Sequence, residues 1–246
     1  FKHGEIAENG TMRCIDLTAV ALLDTLAVGP VELEISQIGK ACHEDGCAIF
    51  RAVGKCVMPT DGIFCRVIQG GTVHPGDRII HKPKLLKLRV FTLSDRVNEG
   101  DYEDESGPRI QERLENFFAE TRWRPEIVRY VIPDDANLLR EELEKARREG
   151  VDIVFTTGGT GVGPKDLTPD VVSAMADKTI PGIMEFIRLK YGSKYPNALL
   201  SRSVAAVLGA MLVYTLPGSL KAASEYIDEI VKTMEHTVLM IHGLGH

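Results

Sequence analysis

Residues 155–170 read FTTGGTGVGPKDLTPD. Between Phe155 and Thr168 lie four glycines (Gly158, Gly159, Gly161 and Gly163), the threonines Thr156, Thr157 and Thr160 and one acid, Asp166. An apolar stretch, 151–155, enters it, and a helical pattern leaves it after Thr168-Pro169-Asp170. Glycines let the backbone turn tightly and bring its N–H groups close to a ligand. Free N–H groups between a strand and a helix N-terminus attract anions, phosphate above all. An acid in that setting adds a place for a metal ion.

Two known phosphate motifs fail on spacing. The dinucleotide fingerprint G-x-G-x-x-G would start at Gly159, but its third glycine comes one position early. Gly158 and Gly163 have the separation of a nucleotide-hydrolase loop, but Pro164 stands where that loop needs lysine.

A second loop follows the apolar run 88–93. It reads Thr92-Leu93-Ser94-Asp95-Arg96, then Gly100-Asp101-Tyr102-Glu103-Asp104-Glu105-Ser106. If strands 88–93 and 151–155 are near neighbours, Asp104 and Asp166 face one cleft. Two carboxylates with phosphate oxygens suit Mg²⁺, which prefers hard oxygen ligands shared with a substrate. Helix capping competes for Asp104, and capping or turn roles are expected for Asp95, Asp134 and Asp170. Leu216-Pro217-Gly218-Ser219 forms a third turn, read either as a further anion site or as a plain strand–helix connection. In Leu200-Ser201-Arg202-Ser203, Arg202 could grip a phosphate bidentately or stand alone on the surface.

These loops need a frame to position them. Strands are expected at 88–93, 127–132, 151–155 and 211–216. Helices are expected from Ser106, from Asp134-Asp135 to Gly150, and from Ser219 onward, each with a capping residue and an apolar face. Such alternation predicts an α/β fold, an open mostly parallel sheet with helices on both faces. Ligands in these sheets bind at the carboxyl ends of the strands. Before residue 82 the character differs. Val31-Glu32-Leu33-Glu34-Ile35 alternates as a half-buried strand does, and 63–68 and 78–80 are further strands, separated by glycine and proline turns. This reads as a small β-rich module, a partial β-barrel, joined through a linker at His81-Lys82-Pro83-Lys84.

Composition bounds the partners. The net charge of −6 argues against a nucleic-acid role. No apolar run approaches the length of a membrane helix. The opening FKHGEIAENG lacks the pattern of a signal peptide, and its missing initiator methionine suggests a fragment or a processed form. The five cysteines all lie within the first 65 residues, an odd set that implies reduced thiols and a cytoplasmic setting.

Taken together, Leu93-Ser94-Asp95-Arg96, Gly100-x-Tyr102-x-Asp104, Thr156 to Gly161 with Asp166-x-Thr168-Pro169-Asp170, Leu200-Ser201-Arg202 and Leu216-Pro217-Gly218 resemble the molybdopterin adenylyltransferase family of molybdenum-cofactor biosynthesis. The resemblance implies transfer of AMP from ATP to the terminal phosphate of molybdopterin, with Mg²⁺, and release of pyrophosphate. It makes Asp104 and Asp166 the catalytic and metal-binding acids. It assigns the substrate phosphates to Ser94, Thr157, Gly158, Gly159, Thr160, Gly161, Ser201, Arg202, Pro217, Gly218 and Ser219. It also implies a homotrimer, and contacts with other proteins of cofactor biosynthesis are a further expectation. The alternatives are molybdate insertion into adenylylated molybdopterin, and a non-catalytic molybdopterin or sulfur carrier.

Gly29 to Lys40, Cys42-His43, Cys47, Cys56-Val57-Met58-Pro59 and Gly62-Ile63-Phe64 through Gly76-Asp77 resemble roughly the C-terminal half of a MOSC domain. That β-barrel type is associated with cofactor sulfuration and binding, so Cys42 or Cys56 is expected to contact sulfur or the cofactor's molybdenum. Plain structural thiols are the alternative, and the cysteine spacing is not that of a standard zinc finger. The expected division is 1–82, a partial MOSC-like module, and 83–246, the adenylyltransferase-like domain.

Overall fold

The computed structural model describes residues 9–13, 15–39 and 62–244. Cys42 and Cys56, with Cys14, His43 and Cys47, lie outside the described residues. The chain divides into two compact units, residues 1–85 with 122–124, and residues 86–121 with 125–246.

The first unit is built on a four-stranded antiparallel sheet. Its strands are β1 (Thr25–Val28), β2 (Val31–Ile38), β3 (Ile63–Gln69) and β4 (Ile79–Lys82), in the order β3-β2-β1-β4. Gly29, at φ +55°, turns β1 into β2 in two residues. Val20, Leu26 and Ile35 fill the small core. His81 and Lys82, read from sequence as linker, belong to β4 instead. His81 is held there by the fully buried Asp24, 2.6 Å from its Nε2. Asp24 also accepts from the N–H groups of Ala21 (2.9 Å) and Lys84 (2.7 Å) and from Arg124 Nη1 (3.1 Å). A carboxylate so deeply buried survives only with such partners.

The second unit is an α/β fold with a mixed, mostly parallel sheet flanked by helices. Its strands are β5 (Leu85–Leu93), β6 (Arg124–Ile132), β7 (Ile153–Thr157), β8 (Lys178–Thr179), β9 (Ala205–Leu208) and β10 (Met211–Leu216), in the order β6-β5-β7-β10-β9-β8. β5, β7 and β10 run parallel, while β9 and β8 close one edge antiparallel. The helices are α1 (Asp95–Asn98), α2 (Ser106–Ala119), α3 (Ala136–Arg148), α4 (Thr168–Met175), α5 (Pro181–Gly192) and α6 (Leu220–Ile241). Every residue of β7, β9 and β10 is buried, as strands covered on both faces must be. Fully buried Phe155 and Tyr214 stack side by side on β7 and β10, with ring centroids 5.3 Å apart. On the helices, Ile110 and Leu114 of α2, Leu139 and Leu143 of α3, and Ile227 and Ile230 of α6 supply the buried faces.

Candidate functional site

The three parallel strands end level with one another. Thr157, the last residue of β7, is in register with Thr92 of β5 on one side and Leu216 of β10 on the other. The loops that leave these three ends are the three that the sequence singled out. They enclose a cleft of about 900 Å³.

Side-chain hydroxyls tie the loops together. Thr157 Oγ1 donates to the Pro217 carbonyl at 3.0 Å, and Thr168 Oγ1 donates to the Gly158 carbonyl at 3.0 Å. The Gly158 N–H donates to the Leu216 carbonyl at 3.0 Å. Gly158 itself is wedged at φ +106°, with the Leu93 carbonyl on one face and Gly218 on the other. Only a residue without Cβ fits between them. Beyond this point, among the described residues, the N–H groups of Gly159, Thr160 and Gly161 meet no protein acceptor. They provide the unsatisfied donors that an anion needs.

Asp104 and Asp166 both line the cleft. Asp104 accepts from Thr92 Oγ1 (2.9 Å), the Gly107 N–H (3.0 Å) and Ser106 Oγ (3.4 Å). It therefore caps α2, the role the sequence gave to Ser106, and still borders the cavity. Asp166 accepts from the Gly163 N–H at 2.8 Å through Oδ2. A Cβ on Gly161 would stand 2.7 Å from that same oxygen, so the loop folds closely around the carboxylate. Among the described residues no three His, Cys, Asp or Glu side chains form a metal cage. Asp166 Oδ1 accepts no hydrogen bond from the described residues, and Asp104 keeps lone pairs to spare. Two such carboxylates fit a hard divalent ion that takes its other oxygens from substrate phosphate and water.

The remaining expected residues divide. Ser94, Thr157, Gly159, Gly218 and Ser219 line the cleft, whereas Gly158, Thr160, Gly161, Ser201, Arg202 and Pro217 are not among its lining residues. Ser94 and Ser219 also cap α1 and α6, accepting from Val97 N–H (3.3 Å) and Ala222 N–H (3.4 Å). The helix N-termini at Ser94, Ser106 and Ser219 thus open toward one space. Arg202 departs from the phosphate-gripping expectation. Its Nε donates to the Gly161 carbonyl at 2.7 Å, its Nη2 to the Asp166 carbonyl, and both Nη atoms to Asp170 (2.8 and 3.0 Å). This guanidinium braces the glycine loop from behind, and the Asp170 carboxylate beside it raises its pKa further. Ser201 is likewise turned toward Ser203, 2.9 Å away.

Sequence reasoning assigned no role to three further cleft residues. Lys165 Nζ lies 2.5 Å from Asp95 Oδ2, and this contact holds the Asp95 carboxyl below its ordinary pKa and raises that of Lys165. Asp95 and Asp134 each accept from the other's backbone N–H, at 2.9 and 3.1 Å. Arg96 stacks on the Tyr102 ring, 4.7 Å from its centroid. The signal for this pair was a cation and an aromatic on either side of Gly100.

With this geometry in hand, the comparisons are specific. The family profile described as "probable molybdopterin binding domain" matches residues 89–236. The molybdopterin adenylyltransferase of Haemophilus influenzae is 37% identical over 162 residues, 63% of this chain and 78% of that protein. The solved molybdopterin biosynthesis Mog protein of Mycobacterium ulcerans superposes with a TM-score of 0.58 at 34% identity, over 63% of this chain and 99% of that one. The Drosophila melanogaster molybdenum cofactor synthesis protein cinnamon is 32% identical over 153 residues, 62% of this chain but only 25% of that much longer protein. The profile begins at residue 89 and leaves residues 1–88 outside it. The profile spans more than half of the sequence and all three loops of the cleft, and with the Haemophilus influenzae relative, 78% of which is covered, it shows that the chain belongs to the molybdopterin adenylyltransferase family.

Proposed function

We propose that the second unit transfers AMP from ATP to the terminal phosphate of molybdopterin. A phosphate oxygen of molybdopterin attacks the α-phosphorus of ATP. A new P–O bond forms, the bond to the β,γ-diphosphate breaks, and pyrophosphate leaves. The observation that carries this reading is that Asp104, Asp166, Thr157 and Gly159 line one cleft at the ends of three parallel strands. Chemistry of this type depends mainly on positioning and charge neutralisation. The open N–H group of Gly159, which lines the cleft, would hold a phosphate oxygen, and the helix N-termini at Ser94, Ser106 and Ser219 would add to the positive field. The acid-rich cleft repels a bare triphosphate, so ATP would enter with Mg²⁺ held by Asp104 and Asp166. The metal's contribution is to offset the charge that builds on the leaving pyrophosphate.

The same reading carries a cytoplasmic homotrimer. Its support is the exposed apolar set Phe186, Leu189, Leu199 and Leu200 on α5 and the turn after it, which a second copy would cover. For the first unit, the MOSC-like reading rests on its sequence motifs and its antiparallel sheet. No helix among the described residues is long and apolar enough to cross a membrane. The test is to mix the protein with ATP, Mg²⁺ and molybdopterin. Pyrophosphate released without added molybdate supports adenylyl transfer. Turnover only when molybdate is supplied supports metal insertion, and pterin binding without pyrophosphate supports a carrier.

A further inference from the structure

We propose that Arg96 anchors the phosphate monoester of the pterin substrate and that Tyr102 holds Arg96 in place to do so. This inference rests on the adenylyl-transfer reading and names the side chain that receives the second anion of that reaction. The cleft is lined by two cations, Arg96 and Lys165, against six acids. Lys165 is committed to Asp95 at 2.5 Å. The Arg96 guanidinium, among the described residues, meets no carboxylate or carbonyl and lies on the Tyr102 ring.

The pair is built rather than incidental. The Arg96 carbonyl accepts from the N–H groups of Asp101 (2.9 Å) and Tyr102 (3.2 Å), which folds the loop back on the end of α1. Gly100, at φ +84°, makes that reversal. Tyr102 is 62% exposed, so burial does not explain its position. What the ring does is orient a cation whose donors face open space.

The chemistry of the two substrates decides which anion Arg96 serves. In the adenylyl-transfer reading the triphosphate would be provided for by the glycine loop and by a divalent ion that Asp104 and Asp166 would hold. A phosphate monoester carries close to two charges near neutral pH and must approach a wall of acids without a metal of its own. A guanidinium fork binds two phosphate oxygens at once and leaves the third free to attack. Arg96 is the lining cation not already bound to an acid. It stands on α1, which leads directly into the loop that carries Asp104, so the anchored phosphate would be presented close to the reacting centre.

The test compares Arg96→Gln, Arg96→Lys, Tyr102→Leu and Tyr102→Phe. Readouts are KM for molybdopterin, KM for ATP and equilibrium binding of molybdopterin followed by pterin fluorescence. Arg96→Gln should raise the molybdopterin KM and Kd about 30-fold or more and change the ATP KM less than about 3-fold. Arg96→Lys should recover only part of the loss, because an ammonium is a point charge without the fork. Tyr102→Leu should weaken molybdopterin binding about 5-fold, and Tyr102→Phe, which keeps the ring, should restore it. An unchanged molybdopterin KM in Arg96→Gln, or an equal rise in the ATP KM, overturns the anchor while leaving the adenylyltransferase intact. Wild-type protein that binds molybdopterin through Arg96 yet releases no pyrophosphate upholds the anchor and overturns the adenylyl-transfer reading.

Discussion

Gly158 packs directly against Leu93: a Cβ added to Gly158 would stand 2.3 Å from the Leu93 carbonyl oxygen. That contact joins the ends of β7 and β5, the two strands whose loops carry Asp166 and Asp104. Gly158→Ala combines this clash with φ +106°. It should cost about 2 kcal/mol or more in urea unfolding and spread the two loops apart, with loss of turnover. A variant with wild-type stability and rate would mean the loops do not depend on this contact.

In the proposed reaction Asp104 has two jobs, capping α2 and holding the metal–nucleotide complex, that substitution can separate. Asparagine caps a helix about as well as aspartate, so Asp104→Asn should melt within about 0.5 kcal/mol of wild type while transfer falls about 100-fold. Asp104→Ala should lose the same activity and about 1 kcal/mol of stability besides, because the Gly107 N–H loses its acceptor. Thermal melts alongside pyrophosphate release check both halves.

The Lys165–Asp95 contact makes a prediction about pH. The hydrogen bond from Lys165 lowers the folded Asp95 pKa below its ordinary 3.8. The associated stabilisation is therefore fully present above 3.8 and fades as the pH falls through the lower folded value. On the alkaline side, the Lys165 pKa is raised above 10.5, so its share is present below 10.5 and is lost as the pH climbs through the raised value. Carboxyl NMR should show Asp95 titrating below 3.8 in wild type and moving upward in Lys165→Met. Both groups are solvent-exposed, so the effect should shrink in high salt.

In the first unit, Asp24 balances Arg124 and His81 from a fully buried position. Asp24→Ala leaves these partners and two N–H groups without their acceptor and should cost about 3–5 kcal/mol. Trp123 is the chain's single tryptophan, and its Nε1–H donates to the Leu22 carbonyl at 3.1 Å. Its fluorescence therefore follows this unit, and an unfolding midpoint unchanged in Asp24→Ala would contradict the account.

The glycine loop was legible because positive φ and open N–H groups demand glycine, and because Asp166 inside it has few other uses. Strand β10 was legible from its six apolar or hydroxyl residues ahead of Pro217-Gly218. Strand β9 (Ala205–Leu208) was not, because four consecutive buried apolar residues show neither alternation nor periodicity. Helix α5 was missed although Pro181 opens it, since its exposed Phe186 and Leu189 blur the apolar face. The partners of Arg202, Lys165 and His81 are set by tertiary contacts between residues 32 to 70 positions apart, beyond any local pattern. Asp104 capped a helix as well as lining the cleft, so the two roles weighed as alternatives turned out to be compatible.

The central claim is that Asp104 and Asp166 serve one metal–nucleotide complex. Single-turnover adenylyl transfer by Asp104→Asn, Asp166→Asn and the double variant tests it most directly. If the two acids act as a unit, each single variant should lose about 100-fold or more, and the double should be no more than about 10-fold worse than the weaker single. Fully multiplicative losses, or a folded single variant that transfers AMP at the wild-type rate, would contradict it.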